Sequence, residues 1–105
     1  MSKRVLVSFF AVNNDVVNSR VSSDSPNYNV HKYFYHHDEH IIINSSDKSI
    51  NLFKYLFPKI QSDFPDHLVK TETIIIDDPI NIVEIRDKLF YFLKKIGNSK
   101  IDILL

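Results

Sequence analysis

Apolar residues occur along the chain in short runs and in longer, spaced patterns. The short runs are RVLVSFFAV at 4–12, HIIIN at 40–44, VKTETIIID at 69–77 and KIDILL at 100–105. Runs of this length, rich in β-branched and aliphatic side chains, predict strands. Three of them are nearly continuous, which is typical of strands buried on both faces of a parallel sheet.

The first spaced pattern predicts a helix from Asp47 to Phe64, because its apolar residues recur at intervals of three and four. Asp47 or Ser49 can serve as its N-cap. Pro58 lies inside this segment and cannot donate a backbone hydrogen bond, so we expect the helix to kink there.

The second spaced pattern predicts a helix that ends at Gly97, with Lys94 and Lys95 in its last turn. The sequence allows two N-termini for this helix. Asp78 can cap the helix, with Pro79 in the first turn, or Asn81 and Glu84 can form a capping pair at 81–84.

The succession of elements predicts an α/β domain whose mainly parallel sheet carries helices on its faces. The order is strand, long connection, strand, helix, strand, helix, strand. The connection from Asn13 to Glu39 is too long for a simple turn and too polar for one continuous helix. Its second half, YNVHKYFYHH, fits an extended arm or hairpin, and a short helix is the other option.

Residues 1–105 are long enough for one domain with one core. The sequence stops on the apolar run of its fourth strand, and we expect it to be a fragment of a longer protein or a domain that dimerises to complete itself. The alternative is a simple C-terminal strand.

The amino-acid composition argues against several classes of function. Thirteen basic residues balance 13 acidic ones, so no overall field attracts long duplex nucleic acid or an anionic membrane. The absence of cysteine excludes disulfides and thiolate metal sites. The single glycine rules out a glycine-rich phosphate loop, and no apolar stretch is long enough to span a membrane. We therefore predict no cofactor, no metal and a cytoplasmic location.

Polar residues follow three of the strands. They are Asn13, Asn14 and Asp15 after the first strand, Ser45 and Ser46 after the second, and Asp77 and Asp78 after the third. In open parallel sheets, ligands bind beyond the carboxyl ends of the strands. Asparagine, serine and aspartate are also common at turns and helix caps for backbone reasons alone, and that reading stays open.

A second polar cluster, HKYFYHHDEH at 31–40, concentrates histidine, tyrosine and acidic residues. Such spacings can hold zinc, but no matching cluster occurs elsewhere, so we expect an exposed aromatic and histidine arm. No catalytic set is evident, since Ser8 lies inside a strand. We interpret Lys3 and Arg4 as solvated terminal charges.

The strand and loop RVLVSFFAVNND resembles the opening of CARF domains, the Rossmann-like sensors associated with type III CRISPR systems. The sequence motif of that family is matched here at Ser8, Phe9, Phe10, Asn14 and Asp15. Its usual Gly-Thr pair is replaced by Ala11 and Val12. IIINSSDKSINLFKYL is similar to the second strand and helix, and TETIIIDDPINIVEIRDKLFYFL to the third strand and the helix after it. The sensor domain of RNA-repair transcription regulators is similar too.

This resemblance implies a Rossmann-like three-layer sandwich that works as a homodimer. It also implies a cyclic oligoadenylate ligand, tetra- or hexa-adenylate, bound at the carboxyl edge of the sheet and regulating an effector. Asn13, Asn14 and Asp15 would then face the ligand, with Ser45 and Ser46 contributing. The alternatives are a ring nuclease that cleaves this ligand and a structural dimerisation domain without one.

Overall fold

The computed structural model describes residues 3–76, 81–97 and 100–104. Its elements, in chain order, are β1 Arg4–Phe9, β2 Val16–Val17, β3 Arg20–Val21, α1 Pro26–Tyr33, β4 Glu39–Asn44, α2 Asp47–Asp63, β5 Val69–Thr73, α3 Ile82–Ile96 and β6 Lys100–Leu104. Within these ranges, no helix is long and apolar enough to cross a membrane.

The four long strands form one parallel sheet in the order β5-β4-β1-β6. The expected α/β architecture with a parallel sheet is therefore confirmed. From β1 the chain moves outward to β4 and β5, and it then returns across the sheet to pair β6 with the free side of β1. The direction in which successive strands are added to the sheet therefore reverses between β1 and β6.

The two central strands, β1 and β4, are covered on both faces, which explains their continuous apolar runs, whereas the edge strands β5 and β6 are largely exposed. On one face, Ile42 packs with Leu56 and Ile60 of α2 in a fully buried cluster. On the other face, Ile43 belongs to a cluster that contains Phe92 of α3. Neighbouring residues of β4 supply both clusters because side chains alternate between the faces of a strand.

The long connection after β1 contains a small hairpin and a helix. Asn18 and Ser19, with φ of 53° and 61°, join the two-residue strands β2 and β3. Two positive φ values in a two-residue loop are typical of a type I′ turn. Helix α1 follows, so the short-helix option for the second half of the connection is the correct one, and the extended arm is wrong.

Several element ends differ from those expected. β1 stops at Phe9 and not at residue 12, because the chain then turns back on itself, with Asp15 N donating to Ala11 O at 2.8 Å. Likewise β5 ends at Thr73, before residue 77. The N-cap of α2 is Ser46, whose Oγ accepts from Ser49 N at 3.2 Å.

The second long helix begins as one of the two alternatives predicted. Asn81 is the N-cap of α3 and accepts from Glu84 N at 3.1 Å. Asp78 and Pro79, the other proposed start, lie outside the described residues. At the other end, Gly97 follows the helix with φ of 78°, as expected of a C-terminal glycine. Helix α2 continues past Pro58 to its end at Asp63.

We predict that Leu56→Ala lowers the free energy of unfolding by about 2–5 kcal/mol, because Leu56 is fully buried beneath the sheet. Leu68→Ala is the matched control, since Leu68 is 47% exposed. It should change stability by about 0.5 kcal/mol or less. Urea denaturation followed by circular dichroism measures both, and equal losses would contradict the assignment of the core.

Candidate functional site

The carboxylate of Asp15 anchors the loop that follows β1. Asp15 is fully buried, and its two oxygens accept four hydrogen bonds from protein groups. The donors are Ala11 N at 2.7 Å, Ser25 Oγ at 2.5 Å, Asn27 N at 3.1 Å and Asn27 Nδ2 at 2.6 Å. Two of these groups belong to the start of α1, where a negative charge is favourable. Asp15 therefore ties the loop to α1, and its carboxylate, which the resemblance implied would face a ligand, is directed at these protein groups.

The side chain of Asn27 connects this anchor to β1. Its Nδ2 donates to Asp15 and also to Phe9 O at 3.0 Å, which uses both of its protons. Both partners are pure acceptors, so the amide cannot be turned around. Asn27 Oδ1 must then face Ser8, and it accepts a hydrogen bond from the Ser8 hydroxyl.

A chain of histidines continues from Ser8. Ser8 Oγ lies 2.7 Å from His40 Nε2, and His40 Nδ1 lies 2.8 Å from His31 Nε2. His31 Nδ1 lies 2.9 Å from His67 Nδ1. Ser8 and His40 come from β1 and β4, His31 from α1, and His67 from the turn before β5. The polar chain thus fills the space between the sheet and α1.

The direction of every bond in this chain follows from Asn27. A serine hydroxyl has one proton, and Ser8 gives it to Asn27, so His40 Nε2 must donate to Ser8. A neutral imidazole has one donor and one acceptor. His31 Nε2 therefore donates to His40, and His67 Nδ1 donates to His31. All donors point inward, from His67 towards Asp15.

Burial keeps the inner two histidines neutral. Loss of water, reinforced by the neighbouring histidines, lowers the pKa of His40 to about 3 and that of His31 to about 4. A second proton on either ring would place two donors face to face. At the outer end, the His67 ring stacks on Tyr35 and Phe64, with ring centroids at 4.2 and 5.2 Å.

Two cavities open at the carboxyl edge of the sheet. The larger, of about 570 Å³, is lined by Phe9, Ser45, Ser46, Ile76 and Ile85. It lies where β1, β4 and β5 end and α3 begins. Its volume falls within the range of small-molecule sites, and its walls are mostly apolar with a few polar groups.

The smaller cavity, of about 330 Å³, lies at the carboxyl ends of β1 and β6. It is lined by Ser8, Phe9, Phe10, Ala11, Pro26, Asn27 and Leu104. Phe9 lines both cavities, so the two openings adjoin each other at the end of β1. The smaller cavity also reaches the inner end of the histidine chain, because Ser8 and Asn27 form part of its wall.

The residues expected to bind a ligand fall into two groups. Asn13 and Asn14 are exposed in the loop after β1, and Ser45 and Ser46 are partly exposed in the wall of the larger cavity. The Ser46 hydroxyl is already used as the cap of α2. Asp77 and Asp78 lie outside the described residues. Whether a ligand contacts the asparagines or serines stays a prediction.

Reading residues 31–40 as an exposed arm missed the most unusual polar groups of the domain. His31 and His40 are buried, because one lies on the inner side of α1 and the other inside β4. The sequence contained one signal for this arrangement. His40 directly precedes the apolar run IIIN, and alternation places it on the same side of the strand as Ile42.

The side chains of Lys3 and Arg4, interpreted as solvated terminal charges, are 48% and 42% exposed, and they also form ion pairs. Lys3 Nζ lies 2.8 Å from Glu39 Oε2, and Lys70 Nζ lies 3.1 Å from the same oxygen. Burial acts to raise the pKa of Glu39, but the hydrogen bonds from the two lysines outweigh it and lower the pKa. Arg4 is paired with Asp102 at 3.4 Å. These contacts fasten the start of β1 to β4 and β6.

Comparisons with known proteins do not assign this chain to a family. No protein-family model, curated protein or solved structure matches it significantly. Its function is therefore inferred from its own cavities and side chains, and from the resemblance in its first strand and loop.

We predict that stability falls as the pH drops from 6.5 towards 5. The unfolded chain binds protons on His31 and His40 below about pH 6.5, whereas the folded chain keeps both neutral until pH 4 or lower. Each histidine then contributes a slope of about 1.4 kcal/mol per pH unit. Urea denaturation at several pH values measures this slope.

The variant His40→Gln separates this effect from general acid sensitivity. It removes one of the two titrating groups, so the slope between pH 5 and 6.5 should fall by about half. Asn51→Gln is the control, because Asn51 is exposed on α2 and has no titrating side chain, so it should leave the slope unchanged. A slope that is the same in all three proteins would contradict the neutral histidine chain.

Proposed function

We propose that this chain is a ligand-sensing module that binds cyclic oligoadenylate at the carboxyl edge of its sheet. It acts as a homodimer and regulates an effector in type III CRISPR antiviral defence. The observation that carries the proposal is the position of the first loop. Asn13 and Asn14 follow β1 in an exposed loop, two and three residues beyond Ala11, which lines the smaller cavity at the point where the order of strands reverses.

The order of the strands supports a Rossmann-like three-layer sandwich. Numbered by their succession along the chain, the four long strands lie in the order 3-2-1-4, which matches the first four positions of the Rossmann order 3-2-1-4-5-6. In such folds, ligands bind outside the carboxyl ends of the strands, at the reversal point. Here that point lies between β1 and β6, at the mouth of the smaller cavity.

The lining of the cavities suits a nucleotide that is recognised without a basic patch. Phe9 offers an aromatic surface on which an adenine can stack. Asn13 and Asn14 can both donate and accept hydrogen bonds at a base edge. The N-terminus of α2 lies at the same edge, next to Ser45 and Ser46 in the wall of the larger cavity, and helix N-termini favour phosphate groups.

A second copy of the chain is part of the proposal because of the symmetry of the ligand. A ring of four or six identical nucleotides has a two-fold axis, so it can present the same groups to two subunits related by that axis. The resemblance to CARF domains implies the same arrangement, with the ring in a groove across the dimer.

A ring nuclease is the second candidate, and the contact between Ser8 and His40 favours it. In such cleavage the ribose 2′-hydroxyl attacks the adjacent phosphate, and a general base accelerates the step. His40 is close to the smaller cavity through Ser8. However, its pKa of about 3 makes it a weak base at neutral pH. Sensing with slow or no cleavage is therefore the leading proposal.

We predict that cyclic tetra-adenylate or cyclic hexa-adenylate raises the melting temperature of this domain. At about 100 times Kd, one bound ligand stabilises the folded state by about 2.7 kcal/mol. In a domain of this size the melting temperature rises by roughly 10 °C. Differential scanning fluorimetry measures the shift, and chromatography of the same samples detects linear products.

Asn14→Ala should reduce the shift and leave the melting temperature without ligand almost unchanged, since Asn14 is exposed in a loop. Asn51→Ala is the matched control, because Asn51 is exposed on α2. Linear products would favour the ring nuclease. No shift with either ring would refute the proposed ligand, and equal shifts in both variants would remove Asn14 from the site.

A further inference from the structure

A second group of polar side chains meets on the last strand, away from the two cavities. His36 and His37 lie between α1 and β4, and Asp102 lies on β6. One ligand atom from each residue falls within 4.8 Å of the others. Asp102 is paired with Leu6, near the middle of β1, whereas the cavities open beyond the end of that strand. The group is therefore separate from the proposed nucleotide site.

A hydrogen bond gives His36 the tautomer that a metal ligand needs. Its Nδ1 lies 2.8 Å from Phe34 O, and because a carbonyl oxygen only accepts, Nδ1 must carry the proton. Nε2 then holds the free lone pair. Metal-binding histidines commonly donate their second N–H to a carbonyl or carboxylate, which fixes the ring and its tautomer. The His36 ring is exposed, so an ion can reach it from solvent.

His37 has a buried ring with one nitrogen unsatisfied. Its side chain is only 4% exposed, and its Nε2 lies 2.8 Å from Asp102 Oδ2. Within the described part of the chain, His37 Nδ1 has no hydrogen-bond partner. Nε2, which faces the carboxylate, is therefore the atom that can bind an ion, and Nδ1 stays inside the protein. The carboxylate of Asp102 is 55% exposed and open to solvent.

We propose that His36, His37 and Asp102 form a site for Zn²⁺ or a similar transition-metal ion. Two imidazoles and one carboxylate suit zinc, whereas Mg²⁺ and Ca²⁺ prefer oxygen ligands. Tetrahedral zinc with bonds of about 2.0–2.1 Å separates its ligand atoms by about 3.3 Å. The contact between His37 and Asp102 must open slightly, and the exposed His36 ring must move inward. Water would fill the fourth position.

Arg4 tunes this site without acting as a ligand. Its Nη2 lies 3.4 Å from Asp102 Oδ2, so it holds the carboxylate in place. The positive charge of Arg4 also opposes a cation at the same position. Arg4→Gln should therefore leave zinc affinity equal to or greater than that of the unaltered protein. Loss of a ligand should have the opposite effect.

Isothermal titration of the full chain with Zn²⁺ tests the proposal, with Mg²⁺ as the comparison ion. One Zn²⁺ should bind per chain, with no binding of Mg²⁺. His36→Ala and Asp102→Asn should each weaken zinc binding by more than the roughly 10–100-fold that is lost when an outer contact is removed. Asp66→Asn is the matched control for Asp102→Asn, because Asp66 is an exposed aspartate elsewhere on the chain, and it should retain affinity.

The visible spectrum of the protein with bound Co²⁺ is a second measurement, and it reports directly on which ligands surround the ion. Co²⁺ bound by two imidazoles and a carboxylate in a near-tetrahedral site should give visible absorption that is lost in His36→Ala. If Asp102→Asn disturbs β6, the exposed His36 still decides the question. The proposal is overturned if Zn²⁺ does not bind, or if His36→Ala binds it as tightly as the unaltered protein.

Discussion

The buried carboxylate of Asp15 is the interaction on which the rest of the polar structure depends. By accepting two hydrogen bonds from Asn27, it fixes the position of α1 and the orientation of the Asn27 amide. The amide oxygen of Asn27 accepts the hydroxyl proton of Ser8. Ser8 must then accept a hydrogen bond from His40, which determines the tautomers of His40 and of the histidines further along the chain. A buried network of this kind is stable only when every member is satisfied. The loop bearing Asn13 and Asn14 is shaped by the same anchor, because Ala11 N also donates to Asp15.

The two ends of the sheet carry different kinds of side chains and contacts. At the carboxyl edge, strands end in cavities and exposed amides, which suits recognition of a ligand. Around the start of β1, charged groups join the strands, as in the contacts of Glu39 with Lys3 and Lys70. The proposed metal site lies near these ion pairs and would tie β6 to the segment before β4. Binding at one end therefore need not disturb the other.

The strands of the sheet could be predicted from the sequence, but the buried polar network could not. Apolar runs such as HIIIN mark buried strands because burial on both faces leaves few other choices. Asp15 looked like a ligand residue because a single sequence does not show whether a loop aspartate points outward or inward. His31 and His40 are nine positions apart on different elements, and only the packing of α1 against the sheet brings them together. Polar groups that satisfy one another over such distances leave no local pattern.

The most direct test of the account is the tautomeric state of the histidine rings at pH 7, read by long-range ¹H–¹⁵N correlation spectroscopy. The inward hydrogen-bond direction predicts that His31 and His40 are neutral and carry their protons on Nε2. A proton on Nδ1 of His40, or a charged ring at either position, would contradict it. In that case Asn27 does not set the direction of the chain, and the link from Asp15 to Ser8 is broken.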